Sequence, residues 1–217
     1  MELYYNRRSV PSRSVLLFAK AIDVSLELKE LNLLEGEHLT EDFLKINPEH
    51  SVPLLVDGDI ALSESRAILI YLADAYGKDD SYYPKDNKDR AIVNQRLFFD
   101  ASNLSSRIID CYVAPVLWES KPFRTEMLPK VEDSFNILNT YLDGKDWVAG
   151  DQITIADYSI VTIVSLAEAI GYDLAKHENV ANWLARCKEN MEDFESLHQE
   201  GQDMFMEVFN AKLSEIE

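Results

Sequence analysis

Short apolar runs alternate with helical stretches in the first third of the chain. Residues Leu3–Tyr5 predict a first strand, and apolar positions recurring every three or four residues after Pro11 predict a helix. A second strand is expected near residues 26–28. The segment Thr40–Ile46 begins with a hydroxyl and two acids, which is typical of the start of a short helix.

A hairpin and a third helix follow. The pair Asp57-Gly58 separates the apolar runs Pro53–Val56 and Ile60–Leu62, which is a strong signal for a two-residue turn. One helical face is then formed by Ala67, Ile68, Tyr71, Leu72 and Ala75, and Gly77 ends it. A strand, a crossover helix and a second strand predict a parallel pair, to which the hairpin adds antiparallel strands. We therefore predict a βαβαββα domain with a mixed sheet over residues 1–77.

The rest of the chain has a different pattern. Residues 78–89 are polar, charged and contain a proline, which predicts a linker. After the linker glycine is sparse and apolar residues keep a helical period. This pattern predicts helices near 90–118, 124–142, 155–170, 178–191 and 194–210. The predicted fold class is α+β, with an all-α second domain over residues 90–217.

Composition narrows the function classes. The 217 residues carry a formal net charge of -18, which argues against binding to nucleic acid or to anionic lipid. The start of the chain lacks the pattern of a signal peptide, and no apolar run is long enough to span a membrane. Cys111 and Cys187 are far apart in sequence, so we expect neither a disulfide framework nor a zinc site. We predict a cytoplasmic protein without nucleic-acid or membrane partners.

The segment Ser9–Ser14 carries the most informative chemistry. Its proline suits the first turn of a helix, so Ser9 lies at the positive end of a helix dipole, beside unpaired backbone donors. Two interpretations remain open: the hydroxyl caps the helix, or it donates to a bound anion such as a thiolate. Arg7, Arg8 and Arg13 cluster nearby, where they could receive a small anion.

An ordered set of motifs extends this segment across the chain. The motifs are Ser9-Val10-Pro11-Ser12-Arg13, Gly36-Glu37-His38, Asn47-Pro48-Glu49-His50-Ser51-Val52-Pro53, Glu64-Ser65-Arg66-Ala67-Ile68, Asn94-Gln95-Arg96-Leu97, and Gly150-Asp151 followed by Thr154, Ala156 and Asp157. Together they resemble the cytosolic glutathione transferases, and most closely the serine-type insect delta and epsilon classes. The resemblance implies a thioredoxin-like first domain that binds glutathione and a helical domain that contributes a hydrophobic substrate site.

The resemblance also implies a catalytic role for Ser9. Tyrosine-type classes carry their tyrosine at the position of Arg7, and thiol-transferase classes carry cysteine in place of Ser9. Ser9 is then the residue expected to stabilise the glutathione thiolate, as a hydrogen-bond donor that stays protonated.

The other glutathione contacts are likewise implied by the resemblance. Val52 and a cis Pro53 would present backbone groups to the cysteinyl unit. Glu64, Ser65 and Arg66 would bind the γ-glutamyl end at a helix N-terminus, where the alternative is a capped helix with a solvated charge pair. His38 and His50 would hold the glycyl carboxylate. Asp100 would support the glutamyl end across a dimer interface, although an aspartate on a helix is usually just solvated.

The hydrophobic substrate site is expected between the domains. Its candidates are Leu104, Ile108, Tyr112, Val116, Met206 and Phe209, each of which could instead belong to the core. Ser105 and Arg107 depart from the apolar residues common there. The segment Thr154–Asp157 is interpreted as a capping box with a structural role.

The predicted activity is conjugation of the glutathione thiolate to hydrophobic electrophiles by a homodimer. Glutathione is expected as co-substrate, with no metal or further cofactor. Two alternatives remain. One is a non-catalytic carrier of glutathione or hydrophobic ligands, or an adaptor. The other is a glutathione-dependent isomerase, dehydrochlorinase or peroxidase, which would use the same thiolate.

Overall fold

Four short strands and three helices form the first part of the molecule. The computed structural model describes residues 1–216. The elements of this part are β1 (Glu2–Tyr5), α1 (Val10–Ala21), β2 (Glu27–Glu30), α2 (Glu41–Ile46), β3 (Leu54–Asp57), β4 (Ile60–Leu62) and α3 (Ser65–Tyr76). The sheet order is β2-β1-β3-β4, with β2 parallel and β3 antiparallel to β1, and β4 antiparallel to β3. The predicted mixed sheet and βαβαββα order are confirmed.

Local sequence explains where these helices begin and end. The Thr40 side chain accepts from the backbone N–H of Phe43, which caps α2 as its hydroxyl predicted. Gly77 directly follows α3, and a Cβ there would lie 2.4 Å from the carbonyl oxygen of Ala73. Only glycine permits this close approach. Two 3-10 turns between β2 and α2, Leu33–Glu35 and Glu37–Leu39, were not predicted.

The second part is helical throughout. Its helices are α4 (Asn87–Phe99), α5 (Ser106–Ile108), α6 (Ala114–Glu119), α7 (Leu128–Tyr141), α8 (Ile155–Ile170), α9 (Glu178–Asn190) and α10 (Glu200–Ser214). Three π-helical stretches, Asp100–Ser105, Ile109–Val113 and Glu195–Gln199, join α4 to α5, α5 to α6, and lead into α10. The helices lie close to the predicted ranges, but the π-helical stretches were not predicted. Within residues 1–216, no helix combines the length and apolarity that a membrane crossing requires.

Aromatic packing joins the two parts. Phe18 of α1 is fully buried, and its ring meets Tyr82 and Tyr158 edge-on at centroid distances of 5.4 and 5.3 Å. Such edge-to-face pairs add to the free energy gained from apolar burial. Because Tyr158 belongs to α8, the contact fixes α1 against the helical part. The exact domain limits of 77, 78–89 and 90–217 remain predictions, and Glu217 lies outside the described residues.

Asp157 anchors the start of α8. Its buried carboxylate accepts from the backbone N–H of Thr154 at 2.9 Å, from that of Val148 at 3.0 Å, and from Trp183 Nε1 at 2.9 Å. These donors come from the helix start, the preceding loop and α9. The predicted capping box is therefore present, and it has the structural role expected of it.

Replacing Asp157 with alanine should destabilise the fold. The change leaves buried N–H donors without acceptors, so we expect a loss of about 3 kcal/mol in the free energy of unfolding. Urea denaturation measures it, with Asp151→Ala as the control because Asp151 is exposed in the same loop. Equal midpoints for the two variants would contradict the anchoring role.

Candidate active site

A cleft of about 310 Å³ lies between the sheet-containing part and the helical part. Its walls come from the start of α1, the start of α3, the long α4–α6 run and α8. The lining residues are Val10, Pro11, Ser14, Ser65, Arg66, Ser105, Ile109, Trp118, Ser159, Thr162 and Ile163. Ser9 directly precedes this lining on one wall.

A buried asparagine shapes the loop that carries Ser9. Asn6 is 7% exposed, and its Nδ2 donates to the carbonyl of Leu31 at 2.8 Å. Its Oδ1 accepts from the backbone N–H of Arg8 at 3.0 Å, and its carbonyl accepts from that of Ser9 at 2.9 Å. Asn6 thus fixes the path from β1 to α1. Sequence reasoning did not select it, although a lone polar residue directly after an apolar strand is a usable signal.

Ser9 is the N-cap of α1. Its side-chain oxygen accepts from the backbone N–H of Ser12 at 3.3 Å, so the capping interpretation is confirmed. The two interpretations are compatible, because a hydroxyl that accepts one hydrogen bond still has its own hydrogen to donate. The first turn of α1 contains no acidic residue, which leaves the positive end of the helix uncompensated.

A second buried asparagine shapes the loop before β3. Asn47 Nδ2 donates to the carbonyl of Ser51 at 2.9 Å, and its Oδ1 accepts from the backbone N–H of Glu49 at 3.1 Å. The loop carries exposed His50 in a left-handed conformation, with φ 45°. It ends in the Val52–Pro53 bond, which is cis as the resemblance implied.

The start of α3 faces the cleft. Glu64 precedes the helix with φ 65° and ψ 102°, and its side chain makes no capping hydrogen bond. A non-glycine residue with this backbone conformation is strained by about 1–3 kcal/mol, and such strain concentrates at functional sites. Ser65, the first residue of α3, is buried and lines the cleft. His38 lies apart from these residues on a 3-10 turn, where its buried Nδ1 has no partner within residues 1–216.

Arg66 is fixed by Asp100 of the same chain. Its Nε and Nη2 donate to Asp100 Oδ2 at 3.0 and 2.8 Å. Ser105 and Ser159 donate to the same carboxylate, each at 2.6 Å. Asp100 is 0% exposed and sequence reasoning placed it across a dimer interface. Four donors of its own chain enclose this carboxylate, and its role across a dimer interface stays a prediction.

The predicted hydrophobic residues lie mostly in the core. Leu104, Ile108, Tyr112, Val116 and Phe209 are all buried, and Met206 is partly buried. Tyr112 meets Phe123 edge-on at 5.1 Å, and Phe123 stacks on Phe209 at 6.1 Å. Among the residues that line the cleft, none of these six occurs. Their burial agrees with the alternative interpretation as packing residues, and their role at the substrate site stays a prediction.

The cleft is lined instead by the neighbouring helical stripe. Ser105 and Ile109, one residue after Leu104 and Ile108, face it, as does Trp118, which is 71% exposed. The most apolar stripe of a helix faces the core, and Ser105 and Ile109 are partly buried on the stripe beside it. The π-helical stretches contribute to this offset, because each shifts the register by one residue relative to a regular helix.

Two of the three arginines in the predicted basic cluster are paired or buried. Arg7 donates to both carboxylate oxygens of Glu30, at 2.7 and 2.6 Å, and Arg13 is fully buried. Arg107 also points away from the cleft, since it donates to Asp133 and Ser134 at 2.9 and 3.0 Å. Its departure from the family pattern therefore does not alter the cleft wall.

Comparison with known proteins decides the family. Residues 1–74 match the model of the glutathione S-transferase N-terminal domain, and residues 106–190 match that of the C-terminal domain. A delta-class glutathione transferase of Nilaparvata lugens is 43% identical, with 97% of this chain and 99% of that chain covered and a TM-score of 0.94. The chain belongs to the glutathione S-transferase family.

Two further structures of this family are similar over nearly the whole chain. An epsilon-class glutathione S-transferase of the housefly, Musca domestica, is 34% identical, covers 97% of each chain and has a TM-score of 0.92. A Drosophila mojavensis glutathione transferase homologue with bound glutathione is 31% identical, with 97% of this chain and 96% of that chain covered and a TM-score of 0.88. The predicted family, fold class and enzyme class are confirmed.

Neither cysteine of this glutathione transferase competes for the role of reactive thiolate. Both are buried and free. Burial raises the pKa of Cys111 to about 11 and raises that of Cys187 well above its ordinary value. Within residues 1–216, no group of three or more His, Cys, Asp or Glu side chains is arranged to hold a metal ion.

Asp100→Asn should weaken glutathione binding. An amide cannot accept from Arg66, Ser105 and Ser159 together, so the guanidinium loses its fixed orientation at the cleft. We expect the KM for glutathione to rise about tenfold, equivalent to about 1.4 kcal/mol. Steady-state kinetics measures it, with Asp110→Asn as the control because Asp110 is exposed on the same helical run. An unchanged KM for glutathione in the Asp100 variant would contradict the role of the Arg66–Asp100 pair in glutathione binding.

Proposed function

We propose that this glutathione transferase conjugates the glutathione thiolate to hydrophobic electrophiles and that Ser9 stabilises the thiolate. The observation that carries the proposal is the capped start of α1. The Ser9 oxygen accepts from Ser12 N–H, so its remaining hydrogen is available to a ligand beside the cleft. A sulfur anion there would meet both this donor and the positive end of α1.

The magnitudes are sufficient for catalysis at neutral pH. A free cysteine thiol has a pKa of about 8.5, so only a few per cent is ionised at neutral pH. Lowering that pKa by about 2 units requires about 2.7 kcal/mol of preferential stabilisation of the anion. A hydrogen bond to a charged group contributes about 1.5–3 kcal/mol and a helix N-terminus about 0.3–1 kcal/mol. Together they reach the requirement.

The remaining predicted residues would orient the tripeptide. Val52 precedes β3, and neither its N–H nor its C=O is engaged within the described chain, so an extended ligand could pair with it. At the start of α3, Ser65 and the first backbone amides would receive the γ-glutamyl carboxylate. Glu64 would pair with the ligand's ammonium group. His38 and His50 would receive the glycyl carboxylate.

The electrophile would lie in the cleft against the helical part. Ile109 and Trp118 supply apolar surface there, and Val10 and Pro11 supply it from the opposite wall. An apolar co-substrate held between these walls would meet the thiolate at the start of α1. Proximity of this kind contributes to rate by removing the entropic cost of bringing two reactants together.

Assembly and location are proposed on the family resemblance. We expect a homodimer in the cytoplasm. Ile92 and Phe98, exposed on α4, offer apolar surface that an interface could cover.

Ser9→Ala should lower turnover of a generic aryl-halide substrate by at least about tenfold while glutathione still binds. The variant removes the donor but leaves the other predicted ligand contacts in place. Ser12→Ala is the matched control, because Ser12 lies one turn further along α1 and its buried hydroxyl has no partner in the described chain. Undiminished turnover in the Ser9 variant would remove Ser9 from its role.

Trp118→Ala should affect the second substrate selectively. Loss of an aromatic wall should raise the KM for an apolar electrophile about fivefold, equivalent to about 1 kcal/mol, with no change in the KM for glutathione. Leu128→Ala at the exposed start of α7 is the control. A change confined to the KM for glutathione would contradict the placement of the electrophile.

A further inference from the structure

Arg13 is a buried cation without a carboxylate partner. It is 0% exposed, and its Nη1 donates to the carbonyl of Arg8 at 2.9 Å and, at 3.5 Å, to that of Arg7. None of the ion pairs within residues 1–216 includes it. Burial lowers the pKa of Arg13 to about 9, and the Asp203 carboxylate opposes that shift. The guanidinium therefore stays charged at neutral pH and is committed to the two carbonyls directly before Ser9.

The remaining contact of Arg13 reaches the far end of the chain. Its Nε donates to His198 Nδ1 at 3.2 Å. His198 lies fully buried in the π-helical stretch that leads into α10. Burial, followed by the charge of Arg13, holds the pKa of His198 well below its ordinary value, so the imidazole is neutral. Since Nδ1 accepts, the ring hydrogen lies on Nε2.

This cluster is costly in stability. Arg13 Nη2 is buried without a hydrogen-bond partner among the described residues. His198 Nε2 and Gln202 Oε1 are also buried and make no hydrogen bond of good geometry there, although the Gln202 side chain lies close enough to raise the pKa of His198. Unsatisfied polar groups in a low-dielectric interior each cost about 1–3 kcal/mol. A packed apolar cluster would stabilise the same contact better, so stability alone does not account for these residues.

A glycine brings the two ends of the chain together. A Cβ on Gly201 would lie 2.2 Å from the carbonyl oxygen of Arg7 and 3.0 Å from Arg13 Cδ. The start of α10 therefore packs its bare backbone directly on the loop before Ser9. This close approach is independent of the hydrogen bonds and points to the same junction.

We propose that His198 is a positioning residue for Ser9. By accepting from Arg13 Nε it fixes the guanidinium that holds the Arg7 and Arg8 carbonyls, and so the direction in which the Ser9 hydroxyl donates. Asn6 holds this loop from the side of the sheet, and the Arg13–His198 pair holds it from the side of α10. The inference rests on the proposed role of Ser9, and it makes the C-terminal segment part of the glutathione half of the site.

The test is the pH dependence of kcat/KM for an aryl-halide substrate at saturating glutathione, which reports ionisation of the bound thiol. His198→Leu removes the acceptor, and we expect the apparent pKa of the bound thiol to rise by about one unit, which leaves roughly threefold less thiolate at pH 7. His198→Gln supplies an amide oxygen in place of Nδ1 and should restore most of the wild-type profile. The KM for glutathione should change little in either variant.

His177→Leu is the matched control. His177 is also buried, but it bonds to Tyr172 at 2.8 Å at the start of α9, away from the cluster. It should lower thermal stability without moving the pH profile. If His198→Leu does not fold, Arg13→Lys replaces it and should raise the apparent pKa of the bound thiol in the same way. An ammonium group cannot hold His198 and both carbonyls in one plane.

The Ser9→Ala variant distinguishes a failure of the proposed role of Ser9 from a failure of the role inferred for His198. If Ser9→Ala leaves the thiol pKa unchanged, the proposed role of Ser9 fails, and this inference fails with it. If Ser9→Ala raises the thiol pKa but folded His198→Leu does not, only this inference is overturned. If both raise it, His198→Leu should add nothing in the Ser9→Ala background, since both act through one hydroxyl. If the thiol pKa of the double variant rose further by the full amount seen in His198→Leu alone, the inference would be overturned.

Discussion

The function proposed for the site depends on the direction in which one hydroxyl, that of Ser9, donates. Ser9 caps α1 with its oxygen, and the loop before it is held by Asn6 on one side and by Arg13 on the other. A hydroxyl on a mobile loop would donate its hydrogen bond to water and would stabilise a sulfur anion only weakly. Preorganised donors avoid this cost of reorientation, which is why they contribute so much to catalysis. The proposed role of Ser9 thus gives a reason for the buried polar groups around the loop, which weaken the fold.

The fold supplies the second requirement, which is a cleft between two parts that pack against each other. Phe18 packs α1 against Tyr158 of α8, and Arg66 at the start of α3 is held by Asp100 of the helical part. Both contacts cross the junction beside the cleft, one apolar and one charged. The residues proposed to bind glutathione and the apolar wall of the second part thus lie on either side of one packed junction.

Most of the fold and part of the candidate site could be predicted from the sequence. The strands, the hairpin and α8 follow from apolar periodicity and turn chemistry, which are local properties. Ser9, Ser65 and Arg66 could be selected as candidates because helix starts carry recognisable residue types. The contacts of Asp100 could not be predicted, because its three donor residues, Arg66, Ser105 and Ser159, come from three elements that only the folded chain brings together. Ser105 and Ile109 of the cleft lining each lie one residue after a predicted hydrophobic residue, since apolarity selects the core stripe and the π-helical stretches alter the register.

The most direct measurement is the ultraviolet absorbance of the glutathione thiolate, titrated with pH while the tripeptide is bound to wild-type protein and to Ser9→Ala. We expect a midpoint about two units below the free thiol's value of about 8.5 in the wild type, and a return toward that value in the variant. The same midpoint in both proteins, with glutathione bound to each, would contradict it.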